Sequence, residues 1–364
     1  MSAYINNYEL LCNAGDVESL MQAIYAKESA LVIDNTYLDD ASAGLGIMEY
    51  DNIFNVLERI TQQILDKSNL DNFHNTLLIM GSSVGGMQEC EDIFYRDMSF
   101  KNIDPMRYSI HVLSDYLQEK FAFYDSRAIS TACTSSANAL LLAKRLIDVE
   151  AYDNVLVIGA DGLCRSTVLG FHALGVLSNK RCTPFDTDRN GMNVAEAVGA
   201  LLIQNVKVKD SVELKGVGAS SDAYHMTNPD PEATGAIRSM RDAIADAGIE
   251  IDDIDYVNAH GTATLANDRV ESLAVEKLFG KKVFVSSTKA ITGHTLGAAG
   301  AIEAIVSCEA IRNSMIPPQA GLKNQENKNI NVVKESVKMD VSYVISNSFA
   351  FGGNNTSLVF GACR

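Results

Sequence analysis

The sequence contains no tryptophan, only six prolines and few basic residues: 30 Lys plus Arg stand against 46 Asp plus Glu, a formal net charge of −16 over 364 residues. A chain this acidic lacks the basic surface that holds a phosphate backbone, which argues against nucleic acid as a partner. No apolar run approaches the roughly 18 residues needed to span a bilayer, and the first residues lack a signal-peptide pattern. We therefore expect a cytoplasmic protein with no membrane insertion.

Paired cysteine motifs are absent as well. Seven cysteines are scattered along the chain, at positions 12, 90, 133, 164, 182, 308 and 363. None shows CxxC spacing or stands near a histidine at the spacing of zinc ligands. The sequence predicts free thiols and no metal site. With 47% hydrophobic and 21% charged residues, the chain has the balance of a globular protein.

The chain alternates between strand and helix patterns. A strand pattern at 152–159 follows a helical pattern at 135–148, and strand patterns at 255–258 and 283–286 alternate with helical patterns at 268–279 and 297–312. This alternation predicts an α/β protein. A polar stretch near 205–212 divides it into halves of residues 1–205 and 206–364, which we expect to share one core. Residues 38–50, with two glycines, are predicted to form a mobile loop.

Cys133 stands among small polar residues at the start of a strongly apolar helical pattern. A thiol at a helix N-terminus feels the positive end of the helix dipole, which is expected to lower its pKa. The apolar pattern that follows predicts a buried helix, with the thiol at the bottom of a pocket. A buried structural cysteine is the alternative.

Two histidines occur in glycine and threonine contexts, His260 after a predicted strand and His294 before a helix of small residues. Such positions are where α/β sheets place catalytic groups. Either histidine alone would more often be structural, but both together with Cys133 indicate a site. Lys289 precedes His294 by five residues, and Glu303 is expected to neutralise it, since a charged lysine in a pocket needs a partner.

Paired glycines, Gly352 and Gly353, follow Phe351 between two predicted strands. They predict a tight turn that presents backbone N–H groups to an anion. Taken alone the signal is weak, because glycine-rich hairpins are common.

Together and in this order, residues 131–135, 258–262, 288–294 and 347–354 resemble the motifs of the elongating β-ketoacyl-acyl-carrier-protein synthases, the ketosynthases of fatty acid and type II polyketide synthesis. The resemblance runs from about residue 76 to the end. It implies a thiolase-like, five-layered α-β-α-β-α sandwich of two similar halves. The nucleophile belongs to residues 1–205, and the two histidines and the glycine turn belong to residues 206–364.

The resemblance also implies roles. Cys133 is the nucleophile, with its own N–H and that of Phe351 as the oxyanion hole, and His260 and His294 donate Nε2–H groups to the enolate left when malonyl loses carbon dioxide. The remaining residues divide between support for His294 (Lys289 and Glu303), the gate and its turn (Phe171, Phe351, Gly352 and Gly353) and substrate binding (Thr227, Thr262 and Thr264). No separate cofactor is expected, because substrates arrive on the phosphopantetheine arm of an acyl carrier protein. A homodimer or a ketosynthase-like heterodimer is expected.

The chain departs from the family pattern at several points. Ala350, Asn354, Leu265 and Asn267 replace glycine, threonine, proline and glycine, and Ala195 and Ala197 flank Glu196 where glycines are usual. A basic docking residue expected after the gate is Gly175 here, and Lys180 and Arg181 are the nearest replacements. These changes favour a specialised polyketide or aryl polyene branch.

The predicted function is decarboxylative condensation of an acyl-enzyme with malonyl-acyl-carrier protein. A non-catalytic chain-length partner of a ketosynthase heterodimer is the alternative, although such partners usually lack the nucleophile. A thioester hydrolase or acyltransferase would leave one histidine and the lysine motif without a role. A nucleotide-binding protein is disfavoured, because residues 81–86 lack the Lys-Ser/Thr of a phosphate-binding loop.

Overall fold

The computed structural model describes residues 2–50 and 52–363. The strands are β1 (Tyr4–Cys12), β2 (Val32–Asp34), β3 (Ala43–Gly46), β4 (Thr76–Gly81), β5 (Asp125–Ile129), β6 (Asn154–Asp161), β7 (Val194–Ala195), β8 (Ala197–Gln204), β9 (Val212–Ser221), β10 (Tyr256–Asn258), β11 (Phe284–Ser286), β12 (Met315–Ile316), β13 (Asn331–Val332), β14 (Val337–Lys338), β15 (Tyr343–Phe349) and β16 (Asn354–Ala362). The helices are α1 (Val17–Ala26), α2 (Ile53–Lys67), α3 (Met87–Asp97), α4 (His111–Phe121), α5 (Ser135–Asp148), α6 (Arg165–Ala173), α7 (Thr234–Ala247), α8 (Leu265–Phe279), α9 (Lys289–Thr292) and α10 (Ala299–Arg312). Short 3₁₀ turns occupy Pro105–Tyr108, Ile251–Asp253 and Leu296–Ala298.

The main sheet consists of two half-sheets joined at their edges. One has the order β1-β8-β6-β4-β5 and the other β9-β16-β15-β10-β11-β13. They meet where β1 pairs with β9, Tyr4 opposite Glu213 and Ile5 opposite Val212. Each half combines a parallel group, β4 to β6 or β10, β11 and β15, with an antiparallel neighbour, β8 or β16. The predicted boundary at residue 205 falls in the connection between β8 and β9.

Side-chain alternation along the strands builds the layers. In β6, Val155 and Val157 face a core shared with α5 and α10, whereas Leu156 and Ile158 face α2 and α4. Helices α5 and α10 each pack against strands of both half-sheets, and α7 and α8 cover the outer face of the second half. The order is helices, sheet, helices, sheet, helices. The predicted five-layered sandwich is confirmed.

Helices α5 and α10 approach closely because small residues stand at their contact. A Cβ atom on Gly300 of α10 would lie 2.5 Å from the backbone nitrogen of Ala137 in α5. Ser136 Oγ accepts a hydrogen bond from the N–H of Ala301 at 2.9 Å. The two helices begin within a few residues of Cys133 and His294, so their contact sets the spacing of these groups.

The predicted helix at 135–148 has the bounds of α5, and the predicted strand at 152–159 overlaps β6. The prediction of a mobile loop over 38–50 is wrong, because it contains β3, a buried strand that pairs with β2 and β7. Its glycines serve close packing: a Cβ on Gly44 would lie 2.3 Å from Asn193 Nδ2. Glycine marked a tight contact here rather than a flexible turn.

All seven cysteines are free thiols, as predicted. Within the described ranges, no helix combines the length and apolar character that crossing a bilayer requires.

Candidate active site

One cavity of about 260 Å³ brings together most of the residues selected from the sequence. Its lining includes the thiol, both imidazoles, both gate rings and three threonines: Cys133, His260, His294, Phe171, Phe351, Thr227, Thr262 and Thr264. Lys289 and Glu303 are buried outside this lining. Gly352 and Gly353 form the turn beside Phe351 and do not line the cavity.

A strained turn presents Cys133. Ala132, directly before it, has a φ of 54°, in the left-handed region that alanine rarely adopts. Hydroxyl groups hold this turn: Ser135 Oγ donates to the Ala132 carbonyl at 2.6 Å, and Thr134 Oγ1 donates to the Thr131 carbonyl at 2.7 Å. The turn leads directly into α5 and leaves the thiol facing the cavity.

Burial raises the pKa of the Cys133 thiol to about 11, although the Lys289 charge and the backbone N–H groups of Phe351 and Cys133 act to lower it. The expectation of a lowered pKa is therefore wrong for the closed cavity. Loss of hydration outweighs the helix terminus, because a thiolate in a dry site lacks the water that would stabilise it. The two backbone N–H groups that face the sulfur are those predicted for the oxyanion hole.

Backbone contacts place the two histidines. The N–H groups of His260 and Gly261 each donate to the Glu271 carboxylate at 2.8 Å. The backbone of His294 is held by Asn193, whose carbonyl accepts from the His294 N–H at 2.7 Å, and by Ala195, whose N–H donates to the His294 carbonyl at 2.9 Å. The ring centroids lie 5.1 Å apart, with the planes at 87°.

The hydrogen-bond partners of the rings define their tautomers. The N–H of Leu296 donates to His294 Nδ1 at 3.2 Å, and Lys289 Nζ lies 3.4 Å from His260 Nδ1. Both partners are donors only, so each Nδ1 accepts and each neutral ring carries its proton on Nε2. Burial and the Lys289 charge hold the pKa of both histidines well below the usual range, and the neighbouring His294 lowers that of His260 further. The site contains two neutral Nε2–H donors.

A buried ion pair supports His260. Lys289 contacts Glu303, with both side chains about 2% exposed. Burial raises the pKa of Glu303 to about 7, against the opposing effect of Lys289. The prediction that this pair holds His294 is wrong in its partner: from α9 the lysine reaches His260, while backbone bonds fix His294.

Sequence reasoning missed two buried carboxylates. Glu271 on α8 accepts from the backbone of the His260 loop, and burial raises its pKa to about 7 despite these bonds. Asp161 ends β6 and accepts backbone bonds beside the Cys133 loop. The signal available for Asp161 was a charged residue directly after the apolar run 155–160. Nothing in the sequence alone distinguished Glu271 from a solvated helix residue.

Two aromatic rings close the cavity from opposite halves. Phe171 on α6 and Phe351 in the turn after β15 have centroids 6.0 Å apart. Gly352 and Gly353, with φ values of 87° and 77°, form the turn, and the N–H of Gly352 donates to the Met226 carbonyl at 2.7 Å. The predicted gate residues thus meet at the cavity.

The five layers and a thiol opposed by two neutral imidazoles define a thiolase-fold protein built for acyl chemistry. Two family models match the sequence, Beta-ketoacyl synthase, N-terminal domain, over residues 19–208 and Beta-ketoacyl synthase, C-terminal domain, over residues 211–323. The chain belongs to the β-ketoacyl synthase family.

Two curated relatives carry the same description. The 3-oxoacyl-[acyl-carrier-protein] synthase 2 of Rhizobium meliloti (strain 1021) is 36% identical over 310 residues, 78% of this chain and 73% of the relative. The protein of that name from Coxiella burnetii is 40% identical over 252 residues, 64% of this chain and 60% of the relative. The predicted enzyme class, a β-ketoacyl-acyl-carrier-protein synthase of fatty acid or polyketide elongation, is confirmed.

Solved structures agree over the whole chain. The complex of a ketosynthase (ApeO) with its chain length factor (ApeC) from Xenorhabdus doucetiae matches with a TM-score of 0.90 and 32% identity, covering 100% of this chain and 98% of that one. A β-ketoacyl synthase from Burkholderia phymatum STM815 matches with a TM-score of 0.90 and 25% identity, covering 100% of both chains. The predicted thiolase-like fold is therefore confirmed.

Proposed function

We propose that Cys133, His260 and His294 carry out the condensation: an acyl group bound to Cys133 is joined to the two-carbon unit of malonyl-acyl-carrier protein, giving a 3-oxoacyl-carrier product and carbon dioxide. The observation that carries the proposal is one cavity with a buried thiol and two imidazoles that each present an Nε2–H. A dry thiol and two neutral donors are what a two-step thioester condensation needs.

In the first half-reaction, Cys133 Sγ attacks the thioester carbonyl of the acyl donor. The new S–C bond replaces the bond to the pantetheine sulfur, which leaves with the proton that the Cys133 thiol gives up. Because burial raises the pKa of this thiol, the proton leaves during the reaction rather than before it. The N–H groups of Phe351 and Cys133 hold the negative oxygen of the tetrahedral intermediate.

In the second half-reaction, the malonyl group loses carbon dioxide, and negative charge collects on its thioester oxygen. His260 and His294 each donate an Nε2–H to that oxygen, and each donor is worth about 3 kcal/mol in a dry site. The enolate carbon then attacks the acyl carbonyl on Cys133. A carbon–carbon bond forms, the S–C bond breaks, and the thiolate takes up a proton.

Three observations favour this reaction over the alternatives. Cys133 faces the cavity, which a non-catalytic chain-length partner does not require. Both imidazoles line the same cavity, whereas a thioester hydrolase or an acyltransferase needs only one imidazole. The buried Lys289 beside His260 keeps that ring neutral, which suits a donor to an enolate and not a general base.

We further propose that a phosphopantetheine arm delivers both substrates, with no separate cofactor. Thr227, Thr262 and Thr264 line the cavity, and the last two hydroxyls lie 3.0 Å apart, in reach of amide groups on such an arm. Lys180 and Arg181 are exposed but do not line the cavity, so their part in docking an acyl carrier protein stays a prediction. A cytoplasmic location also stays a prediction.

A partner subunit is proposed at the free edge of the first half-sheet. β5 ends the sheet order, and the apolar ring of Tyr124, directly before this strand, is 69% exposed. An unpaired edge strand beside apolar side chains favours association. The ketosynthase from Xenorhabdus doucetiae was solved with its chain length factor. We propose that this chain pairs at β5 with a second copy or with a related partner.

Intact-mass spectrometry after incubation with a panel of acyl-carrier thioesters tests the function. An acyl mass added to wild type and absent from Cys133→Ala supports it, and release of carbon dioxide from malonyl-carrier completes the test. Hydrolysis of the thioesters without an acyl-enzyme or carbon dioxide would contradict it.

A further inference from the structure

Asp161 is a buried carboxylate with an unusual number of donors. It stands at the end of β6 with no exposed surface, and its Oδ1 accepts from Ser82 Oγ at 2.6 Å, from the Ser83 N–H at 2.9 Å and from the Val84 N–H at 2.8 Å. Oδ2 accepts from the Gly297 N–H at 2.6 Å and, at the longer distance of 3.1 Å, from the Ser83 N–H. Oδ1 therefore binds the loop after β4, whereas Oδ2 binds mainly the start of the helix region after His294, with a longer contact to Ser83.

The first group of donors leads to the nucleophile. Ser83, bonded to Asp161 through its backbone, donates from Oγ to the Ala132 carbonyl at 2.9 Å. Ala132 is the left-handed residue that precedes Cys133. A shift of the Ser83 loop would therefore move the turn that presents the thiol.

The second donor leads to a histidine. Gly297 follows Leu296, whose N–H donates to His294 Nδ1 and sets the tautomer of that ring. No side chain fits at residue 297, because a Cβ there would lie 2.7 Å from the Ser83 nitrogen and 2.8 Å from Asp161 Oδ2. Asp161 thus joins the Ser83 loop, which supports the Cys133 turn, to the segment 294–297, which carries His294.

Ionisation suits this arrangement. Burial raises the pKa of Asp161 to about 6, while the surrounding hydroxyl and N–H donors act to lower it. Backbone N–H donors face both oxygens, so both oxygens act as acceptors, as in a carboxylate.

We propose that Asp161 is a positioning residue that holds the Cys133 turn and the His294 ring in register across the two halves of the molecule. It touches no reacting atom and acts through Ser83 on one side and through Gly297 and Leu296 on the other. The activity readouts of this inference rest on the proposed function; its spectroscopic readout does not.

Asp161→Asn tests the proposal through an asymmetry. An amide has one acceptor oxygen. Three donors lie within 2.9 Å of Oδ1, whereas Oδ2 has the Gly297 N–H at 2.6 Å and a longer contact to the Ser83 N–H at 3.1 Å, so the oxygen should stay with the Ser82 loop and the NH₂ group should turn toward Gly297. The His294 side is then disturbed more than the Cys133 side. Decarboxylation of malonyl-carrier should fall by about tenfold to 100-fold, the scale of a 1 Å misplacement, while acylation of Cys133 changes by no more than about threefold.

Ser83→Ala is the mirror variant. It removes the hydroxyl bond to Ala132 and keeps the N–H bonds to Asp161, so it should slow acylation and iodoacetamide alkylation of Cys133 by about threefold, with decarboxylation preserved. Glu196→Gln is the matched control. The side chain of Glu196 is also buried and accepts from three donors, the N–H groups of Met48 and Leu163 and the hydroxyl of Tyr50, none of which belongs to the Ser82, Ala132 or His294 segments. It should lower the melting temperature without separating the two half-reactions.

Nitrogen-15 NMR of the histidine rings reads the His294 tautomer without any turnover. In wild type His294 should show a protonated Nε2, and in Asp161→Asn a mixture of tautomers, with Glu196→Gln like wild type. Equal losses in both half-reactions with an unchanged His294 spectrum would overturn the proposal. If Asp161→Asn does not fold, Ser83→Ala decides, and slowed decarboxylation with normal acylation would overturn it. A wild type with the expected His294 spectrum but no acyl-enzyme would count against the proposed function alone.

Discussion

The two halves of the molecule support their reacting groups by different chemistry. Around Cys133 the contacts are hydroxyl and amide groups, with the Thr134 hydroxyl donating to the Thr131 carbonyl and Asn138 Nδ2 donating to Thr131 Oγ1 at 2.9 Å. Around His260 the contacts are buried charges: Lys289 at the ring, Glu303 against the lysine and Glu271 at the backbone. The groups that contact the Cys133 turn directly are neutral, whereas those that contact His260 are charged.

The difference follows from what each group must do. A thiol attacks a carbonyl from a defined direction, so its support must fix a shape, and short hydroxyl side chains do this at little desolvation cost. An imidazole that donates to an enolate must stay neutral with its proton on one nitrogen, and a neighbouring positive charge enforces both. Changes on the first side should therefore alter geometry, and changes on the second side should alter protonation and stability.

Removing the nucleophile gives the largest expected effect. Cys133→Ala should abolish condensation, because no S–C bond forms. Carbon dioxide release and formation of the 3-oxoacyl product, measured for wild type and variant side by side, check this. Cys164→Ala is the control, since Cys164 also stands at the start of a helix, as the N-cap of α6, but does not line the cavity. Acyl transfer that survives in Cys133→Ala would contradict the assignment of Cys133 as the nucleophile.

Breaking the charged network should cost stability. Glu303→Ala leaves the Lys289 charge buried without its partner, which destabilises by about 3–5 kcal/mol. Thermal and denaturant unfolding measure this. Glu303→Gln, which keeps the volume, should cost less because the amide oxygen still accepts from Lys289. Equal stability of Glu303→Ala and wild type would show that the pair is not ionised in the folded protein.

Removing either imidazole should separate the half-reactions. His260→Ala and His294→Ala should each cut decarboxylation by about 100-fold or more, the scale for loss of one oxyanion donor. Acyl-enzyme formation on Cys133 should remain detectable, since its oxyanion contacts are backbone N–H groups. Carbon dioxide release and acyl mass, measured on the same samples, check this. Loss of acylation with decarboxylation intact would contradict the role of the histidines in decarboxylation.

The pH dependence of thiol reactivity sharpens the contrast. Because burial raises the pKa of Cys133 to about 11, its alkylation by iodoacetamide should rise about tenfold per pH unit and level off only near pH 11. Peptide mapping of the labelled thiol at pH 7 to 10 measures the slope. A plateau near pH 8.5, the value of an ordinary thiol, would show a hydrated site.

The smallest effect is expected at the gate turn. The Ala350 N–H donates to the Asn354 carbonyl at 2.8 Å, and a glycine at 350 would open more backbone conformations to Phe351. Ala350→Gly should shift the ranking of acyl substrates by a few-fold, about 1 kcal/mol, in a competition assay. Ala122→Gly, a matched change on the exposed end of α4, should leave the ranking unchanged. An identical ranking of substrates in Ala350→Gly and wild type would show that the turn does not determine acyl specificity.

What the sequence predicted well depends on local pattern. The helix after Cys133 follows from a run of apolar residues, and the strand before His260 follows from a short β-rich pattern. The order of the motifs correctly predicted that Cys133, His260 and His294 line one cavity. The pKa direction of Cys133 was wrong because burial is a property of the assembled layers. The partner of Lys289 was wrong because it depends on where a long side chain reaches from α9. Asp161 and Glu271 were missed because a buried carboxylate looks like a solvated one until its donors are known.

The contact of Gly300 with Ala137 has a consequence for how such a protein diversifies. Helices α5 and α10 pack backbone to backbone in the middle layer and begin near Cys133 and His294, so their contact helps to fix the spacing of these two groups. Asn267, at the start of α8, and Ala350 line the cavity away from this contact, so a change at either position leaves the helix packing intact. We therefore expect new acyl preferences to arise by exchange of such lining residues, whereas an added methyl group at Gly300 would force α5 and α10 apart.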